Sequence, residues 1–158
     1  MKFIKVSVLA VVAAVYSSTS YSQSIEFNNP IAEKRADPWV HKTASGDYYL
    51  IATVPEYDRI VLRKANSING LKEAQEKEIW HKHKTGVMAN HIWAPELHWI
   101  DGKWYIYFAA GEAENKWNIR IWVLSNPSAD PMQGKWTEEG QLKTQKESFF
   151  TRLPKRQF

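Results

Sequence analysis

The feature that most constrains the fold of this chain is an internal repeat. Pro38 in the first unit aligns with Pro95 in the second at an offset of 57 residues, and His41 then aligns with His98. From its proline, each unit runs through a glycine turn into an aromatic, β-branched stretch and then a second apolar stretch. A four-stranded antiparallel unit repeated at a fixed period is typical of the blades of a β-propeller.

Four segments have the composition of strands, namely residues 47–53, 59–64, 103–110 and 119–124. Asp101-Gly102, just before the third of them, is a hairpin signal. Each unit begins with a further strand, at residues 38–41 and 95–98. A short fourth strand is predicted in each unit, near residues 78–80 and 135–137, whereas Gly70 favours a loop or short turn over residues 67–78. The prediction is an all-β chain holding about two propeller blades. A β-sandwich, which also uses short strands and regular turns, is the alternative.

The two ends of the chain differ from the repeat. Residues 1–22 combine two lysines, a short apolar run and small residues, which predicts a secretory signal peptide and a secreted or periplasmic protein. The apolar run is shorter than the roughly 20 residues of a membrane-spanning helix, with an uncleaved anchor as the alternative. Residues 23–148 are predicted as a partial propeller without a membrane span. Residues 149–158 form an irregular basic tail, as a shifted reading frame or a natural flexible tail would give.

The amino-acid composition indicates which classes of ligand the chain is expected to bind. The chain has eight tryptophans, seven tyrosines and six phenylalanines, and aromatic side chains both fill β-sheet cores and bind the faces of sugar rings. Trp93 and Trp39 are the candidates for sugar contact, and packing between blades is the alternative. There is no cysteine, so no disulfide holds the fold. The net charge of +4 comes without a basic stripe or recognition motif, so no nucleic-acid partner is expected.

Two carboxylates stand near the start of the repeat units, Asp37 just before Pro38 and Glu96 just after Pro95. The innermost strand of each propeller blade lines the central channel, so we expect equivalent early positions to converge on one pocket. Glycoside hydrolysis needs two carboxyl groups around one bond, and a further carboxylate raises the pKa of a neighbouring acid by like-charge repulsion. A turn residue and a solvated strand end are the alternatives for Asp37 and Glu96, respectively.

The segments Arg35-Ala36-Asp37-Pro38 and Trp93-Ala94-Pro95-Glu96, together with the strand at residues 101–108, resemble the first two blades of glycoside hydrolase family 43. The resemblance covers roughly residues 28–140. It implies a five-bladed propeller, an inverting mechanism, Asp37 as general base and Glu96 as the residue that tunes and orients the general acid. The family usually has aspartate at the position of Glu96. Its general acid is a glutamate of a later blade, so none is assigned in this chain, and little activity is expected from the chain alone.

The resemblance implies an enzyme that removes terminal α-L-arabinofuranosyl residues from plant polysaccharides such as arabinan or arabinoxylan. A β-xylosidase or endo-arabinanase of the same family, a non-catalytic carbohydrate-binding propeller and a product without function are the alternatives. No cofactor is expected, and a structural metal ion in the propeller channel is left open. His81 and His83 have the spacing of two ligands on one strand face, but no third ligand accompanies them. His41 and His98 are expected to pack and hydrogen-bond beside the inner strands.

Overall fold

Residues 26–143 are described by the computed structural model. The predicted signal peptide at residues 1–22 and the basic tail at residues 149–158 lie outside the described residues. Eight strands form two four-stranded antiparallel sheets, and within each sheet the strands lie side by side in chain order. The first sheet contains β1 (Ala36–Lys42), β2 (Tyr48–Thr53), β3 (Arg59–Ala65) and β4 (Lys77–His81). The second contains β5 (Asn90–Ile100), β6 (Lys103–Gly111), β7 (Arg120–Asn126) and β8 (Thr137–Gln141).

This architecture confirms the all-β prediction and the repeated four-stranded unit. The loop predicted over residues 67–78 carries one short 3-10 turn, Asn69–Leu71. The last strand of the second sheet begins at Thr137, later than predicted, because Trp136 turns inward instead of pairing in the strand. Its side chain is buried, and its indole N–H donates to the Pro131 carbonyl at 3.2 Å. Within residues 26–143, no helix has the length and apolarity needed to cross a membrane.

The hydrophobic core lies between the two sheets. Along β6 the buried residues alternate with partly exposed ones, as expected for a strand that turns one face to the core. Burying these side chains removes a large apolar area from water, which is the main favourable contribution to packing the sheets together. The core residues from the two sheets include Tyr49, Ile51, Ile60, Leu62, Leu97, Trp104, Ile106, Phe108, Trp122 and Leu124.

Strand β2 differs from β6 because it is buried on both faces. Leu50 and Ala52, which point away from the core between the sheets, are each only 4% exposed. The chain before β1 covers them and is attached to the first sheet by charge pairs. Arg35, in that segment, and Arg63, on β3, bind the same carboxylate of Glu76 at 2.7 and 2.9 Å. The segment before the repeat therefore belongs to the packed unit of the first sheet.

The first strand of each sheet is interrupted at the same place. In β1 the pairing register shifts between Ala36 and Trp39, and in β5 it shifts between Trp93 and Glu96. Each interruption contains a residue in the left-handed region immediately before a proline, Asp37 with φ 50° and Ala94 with φ 45°. Bulges of this kind re-aim a side chain. The repeat therefore reproduces the backbone irregularity as well as the strands, and Asp37 corresponds to Ala94.

The two first strands, β1 and β5, are the edge strands that lie next to each other. Trp39 bridges them, since its indole N–H donates to the Leu97 carbonyl at 2.9 Å and its ring lies 4.9 Å from that of His98. His41 packs with its ring 5.0 Å from Trp104. Burial lowers the pKa of His41, and the nearby His98 lowers it further. His41 and His98 therefore pack beside the inner strands, as expected.

Candidate active site

Asp37 lies at the bulge of β1, where the left-handed backbone turns its side chain out of the strand register. The residue is exposed, yet one carboxylate oxygen is fixed. Thr53, at the end of β2, donates its hydroxyl hydrogen to Asp37 Oδ2 at 3.0 Å, and the same hydroxyl oxygen accepts the Ala94 N–H at 2.8 Å. The carboxylate of the first sheet is thus connected through one side chain to the backbone of the second sheet.

Glu96 does not occupy the position equivalent to Asp37. The aligned bulges pair Asp37 with Ala94 and Glu96 with Trp39, so the expectation of two carboxylates at equivalent positions was wrong. The offset of 57 residues separates the two acidic residues, because Asp37 lies just before the aligned proline of its unit and Glu96 lies just after. Glu96 alternates with the buried Leu97 and points from the other face of β5.

The carboxylate of Glu96 is half exposed and lies 3.2 Å from the ring nitrogen Nε2 of His98. The two residues are two positions apart on one strand and so share a face. In an exposed pair of this kind, solvent screens most of the attraction. The role of Glu96 in tuning a general acid stays a prediction.

An aromatic cluster lies at the same end of the two sheets as Asp37. Its four members, which we call the aromatic wall, are Tyr57, His91, Trp93 and Trp117. Trp93 is the centre, with the His91 ring stacked on it at 4.3 Å and 16°, Tyr57 edge-on at 5.8 Å and Trp117 tilted at 6.2 Å. Trp117 is 66% exposed and Tyr57 is 42% exposed. Large exposed aromatic surfaces side by side are unusual on a protein and mark a binding region.

The antiparallel topology explains why these residues meet. Strands β1 and β5 begin at the end of the sheets where β2 and β6 finish, so the loops that follow β2 and β6 lie beside the start of β5. Tyr57 comes from the first of these loops and Trp117 from the second. The Tyr57 carbonyl accepts the Ile92 N–H at 3.1 Å, which fixes the first loop to the second sheet.

The loop that carries Trp117 is held by His91 and by a glycine. His91 Nδ1 donates to the Lys116 carbonyl at 3.0 Å, so the ring proton sits on that nitrogen. Gly111 lies where the loop folds back, and a Cβ atom there would come within 2.1 Å of the same Lys116 oxygen. Only glycine permits this approach. Backbone packing therefore sets the position of Trp117.

The two predicted sugar contacts are placed differently. Trp93 stands in the aromatic wall, one residue before Ala94, whose amide binds Thr53. Trp39 is partly buried against the core, and its N–H is used in the bond to Leu97. This geometry favours Trp93 as a sugar platform and Trp39 as a packing residue between the sheets. Contact of either with sugar stays a prediction.

The pair His81 and His83 does not form one face of a strand, because β4 ends at His81. His81 lies 3.4 Å from Glu78, whereas His83 lies 2.9 Å from Glu138 of the second sheet. The expectation that both project from the same strand was therefore wrong. In the part of the chain from 26 to 143, no three histidine or acidic side chains come together as a metal-binding group.

Sequence reasoning missed Thr53, His91 and Trp117. His91 and Trp93 stand two residues apart just before the strand predicted at residues 95–98, which could have suggested stacking on one face. Thr53 is the last residue of the predicted strand at residues 47–53, and threonine is common in strands, so nothing in the sequence distinguishes it. Its partners lie 16 and 41 residues away in the chain, so no local pattern indicates its role.

Comparisons with known proteins identify the family of this chain. The model of the family described as glycosyl hydrolases family 43 matches residues 27–150. Over 134 residues the chain is 55% identical to the extracellular exo-α-(1→5)-L-arabinofuranosidase of Streptomyces avermitilis, covering 85% of this chain and 28% of that protein. Over 123 residues it is 56% identical to the protein of the same name from Streptomyces chartreusis, covering 78% of this chain and 38% of that protein.

Solved structures give the fold. The α-L-arabinofuranosidase from Lactobacillus brevis superposes with a TM-score of 0.69 at 42% identity, over 75% of this chain and 39% of that one. A thermostable family 43 glycoside hydrolase superposes with a TM-score of 0.53 at 20% identity. These relatives are five-bladed propellers, and the two sheets correspond to about two of their blades, which excludes the β-sandwich. The chain spans about a third of the length of the curated relatives it matches. The chain belongs to glycosyl hydrolases family 43.

Proposed function

We propose that the protein is an exported, inverting exo-α-L-arabinofuranosidase acting on arabinan- or arabinoxylan-type plant polysaccharides, with Asp37 as its general base. The observation that carries the proposal is that a fixed carboxylate and an exposed aromatic wall lie at one end of two adjacent blades, joined through Thr53 and Ala94. A sugar bound there would have an apolar ring face against indole and a base at the same end of the two sheets.

The chemistry follows from the position of Asp37. In an inverting hydrolase the base removes a proton from water as the water attacks the anomeric carbon, and a separate acid protonates the leaving oxygen. An exposed carboxylate with one oxygen held by a hydroxyl has its second oxygen available for water. General base assistance of this kind contributes about 10²–10⁴-fold to the rate. The acid is not assigned to any residue of this chain, and Glu96 is kept as a candidate for tuning it.

Relatives support the substrate and the location. The two Streptomyces relatives are named as extracellular exo-α-(1→5)-L-arabinofuranosidases, and both are more than half identical to this chain. The signal-peptide pattern of residues 1–22 points to export as well. We propose on these grounds that terminal α-1,5-linked arabinofuranose is the preferred sugar, ahead of xylose.

The test uses the full protein encoded by the gene. Turnover is measured with 4-nitrophenyl α-L-arabinofuranoside, 4-nitrophenyl β-D-xylopyranoside and α-1,5-linked arabinotriose, and the anomer first released is read by proton NMR. Asp37→Asn keeps the side-chain shape and tolerates the left-handed backbone, but it cannot take a proton. We expect it to lower kcat about 1000-fold on the arabinoside and to leave binding of arabinotriose intact.

Asp101→Asn is the matched control, because Asp101 is also left-handed (φ 47°) but lies in the hairpin at the opposite end of the second sheet. Its turnover should equal that of the unchanged protein. Normal turnover by Asp37→Asn would refute the assignment of the base. Arabinotriose binding without turnover in the unchanged protein would instead identify a carbohydrate-binding propeller, and faster turnover of the xyloside would identify a β-xylosidase.

A further inference from the structure

Thr53 connects Asp37 to the second sheet, and the direction of its hydroxyl proton is determined. The Ala94 N–H can only donate, so it occupies a lone pair of Thr53 Oγ1 at 2.8 Å. An ionised carboxylate can only accept, so the hydroxyl hydrogen points to Asp37 Oδ2 at 3.0 Å. The order of donors is therefore Ala94 to Thr53 to Asp37.

The hydroxyl is also rigid. Thr53 is 3% exposed at the end of β2, and its β-branched side chain has few accessible rotamers. A hydrogen bond to an ionised acceptor is about twice as strong as one between neutral groups. The position of the Asp37 carboxylate is consequently set by a buried group, although the carboxylate itself is exposed.

The Ala94 amide is available for this bond because of the bulge. The register of β5 shifts between Trp93 and Glu96, so residue 94 does not pair with β6. Its left-handed backbone instead aims the N–H at the first sheet. Without the bulge, the amide would be part of the β5–β6 ladder or point to solvent.

Among the hydrogen bonds of residues 26–143, the one from Thr53 reaches Oδ2 of Asp37 and none reaches Oδ1. We infer that Thr53 is the positioning residue of the general base, holding Oδ2 so that Oδ1 is the oxygen that takes the proton from water. This inference rests on the proposed function. It assigns to Thr53 no contact with the substrate.

The test compares Thr53→Val, which keeps the shape and removes the hydroxyl, with Thr53→Ser, which keeps the hydroxyl. We expect Thr53→Val to lower kcat on the arabinoside about 10–100-fold while KM changes by less than about twofold, because a misdirected base affects the chemical step alone. Thr53→Ser should retain most of kcat. Thr53→Ala serves as a second variant if valine, placed against the Ala94 amide, prevents folding.

Thr43→Val is the matched control. The Thr43 hydroxyl also accepts a backbone N–H, from Asp47 at 3.0 Å, but in the hairpin at the other end of the first sheet. It should leave kcat unchanged. If a threonine hydroxyl supported activity only through its general contribution to the structure, Thr53→Val and Thr43→Val would lower kcat by similar factors. That result would contradict the inference.

The deciding measurement places Thr53→Val in the Asp37→Asn protein. If Thr53 acts through the base, the second substitution causes no further loss of kcat. An equal loss with and without the carboxylate would overturn the inference, as would full activity of Thr53→Val. Both results leave the proposed function standing if Asp37→Asn is inactive. Normal turnover by Asp37→Asn alone overturns the proposed function, and the inference falls with it.

Discussion

The two sheets have the same backbone and different chemistry at the same point. Each begins with a bulged strand in which a left-handed residue precedes a proline, yet that residue is Asp37 in the first sheet and Ala94 in the second. The first contributes a carboxylate to the candidate site, and the second contributes an amide that supports it through Thr53. The comparison teaches that the repeat conserves the shape of the strand, while function depends on which group each copy presents there.

The largest expected difference between the sheets is catalytic. Asp37→Asn should lower kcat about 1000-fold, whereas Glu96→Gln should lower it less than about tenfold, because Glu96 points from the other face of β5 and pairs with His98. Steady-state kinetics of the two variants on 4-nitrophenyl α-L-arabinofuranoside measure the difference. Comparable losses would show that both sheets supply essential carboxylates and would support the tuning role of Glu96.

A second difference lies in the loops after β2 and β6. By the repeat, Gly111 corresponds to Val54, which is a buried side chain in the shorter loop of the first sheet. Gly111→Ala would place Cβ 2.1 Å from the Lys116 oxygen, so we expect a loss of about 1–3 kcal/mol in the free energy of unfolding and weaker arabinotriose binding as Trp117 shifts. Urea unfolding and tryptophan fluorescence titration measure the two effects.

Gly70→Ala is the control for this prediction, because the nearest neighbours of its added Cβ would be side-chain atoms, of Ser67, Ala65 and Asn66 at 3.0, 3.1 and 3.8 Å. It should cost less in stability and leave sugar binding unchanged. If Gly111→Ala binds arabinotriose normally, the position of Trp117 does not matter to the site.

A second set of contacts between the two sheets, away from Thr53, depends on charged side chains. Asp130 of the second sheet's last loop binds Lys64 at 3.1 Å and Tyr49 at 3.2 Å, and Glu138 binds the Trp80 indole at 2.8 Å. Burial acts to raise the pKa of Asp130, but the Met132 N–H and Lys64 lower it by more. Burial also acts to raise the pKa of Glu138, but the hydrogen bonds from Trp80 and His83 lower it by more.

Because the folded-state pKa values of these carboxyls are lowered, their contribution to stability is present above the unfolded values, about pH 4, and is lost as the pH falls further. Asp130→Asn should therefore reduce the free energy of unfolding by about 0.5–1 kcal/mol at about pH 7 and by less at about pH 3. Urea unfolding at both values measures this, with Asp101→Asn as control. An equal reduction at both values would mean that the charge of Asp130 is unimportant.

The smallest effect tests the shared bulge itself. Alanine pays a steric cost in the left-handed region, so Ala94→Gly should stabilise the protein by up to about 1 kcal/mol. Ala109→Gly, in the regular part of β6, should destabilise it by a similar amount. Thermal unfolding of the two variants checks the signs. Destabilisation by Ala94→Gly would show that the left-handed backbone carries little strain.

Much of the fold could be predicted from the sequence because it depends on local patterns. Aromatic and β-branched runs, the Asp101-Gly102 turn and the repeat from Pro38 to Pro95 each have a direct physical reading, and the observed strands confirm them. The role of Asp37 as general base stays a prediction. It depended on the resemblance to the family, because an aspartate before a proline is by itself an ordinary turn residue.

The rest depended on geometry that local patterns do not contain. A residue before proline favours extended backbone, so the sequence gives no sign that Asp37 and Ala94 are left-handed. Glu96 was taken as the counterpart of Asp37 because both acidic residues adjoin the aligned proline, although they lie on opposite sides of it in the sequence. Thr53 was missed because its bonds to Asp37 and Ala94 cross long stretches of chain.

The bulge before each proline has a consequence for how such a protein diversifies. Its shape is kept whether the side chain is a carboxylate or a methyl group, so mutation there can exchange one functional group for another without rebuilding the strand. Duplicating the unit then multiplies the number of interchangeable positions around a common axis. A new specificity arises when the side chain at one such position changes while the neighbouring copies keep the same backbone.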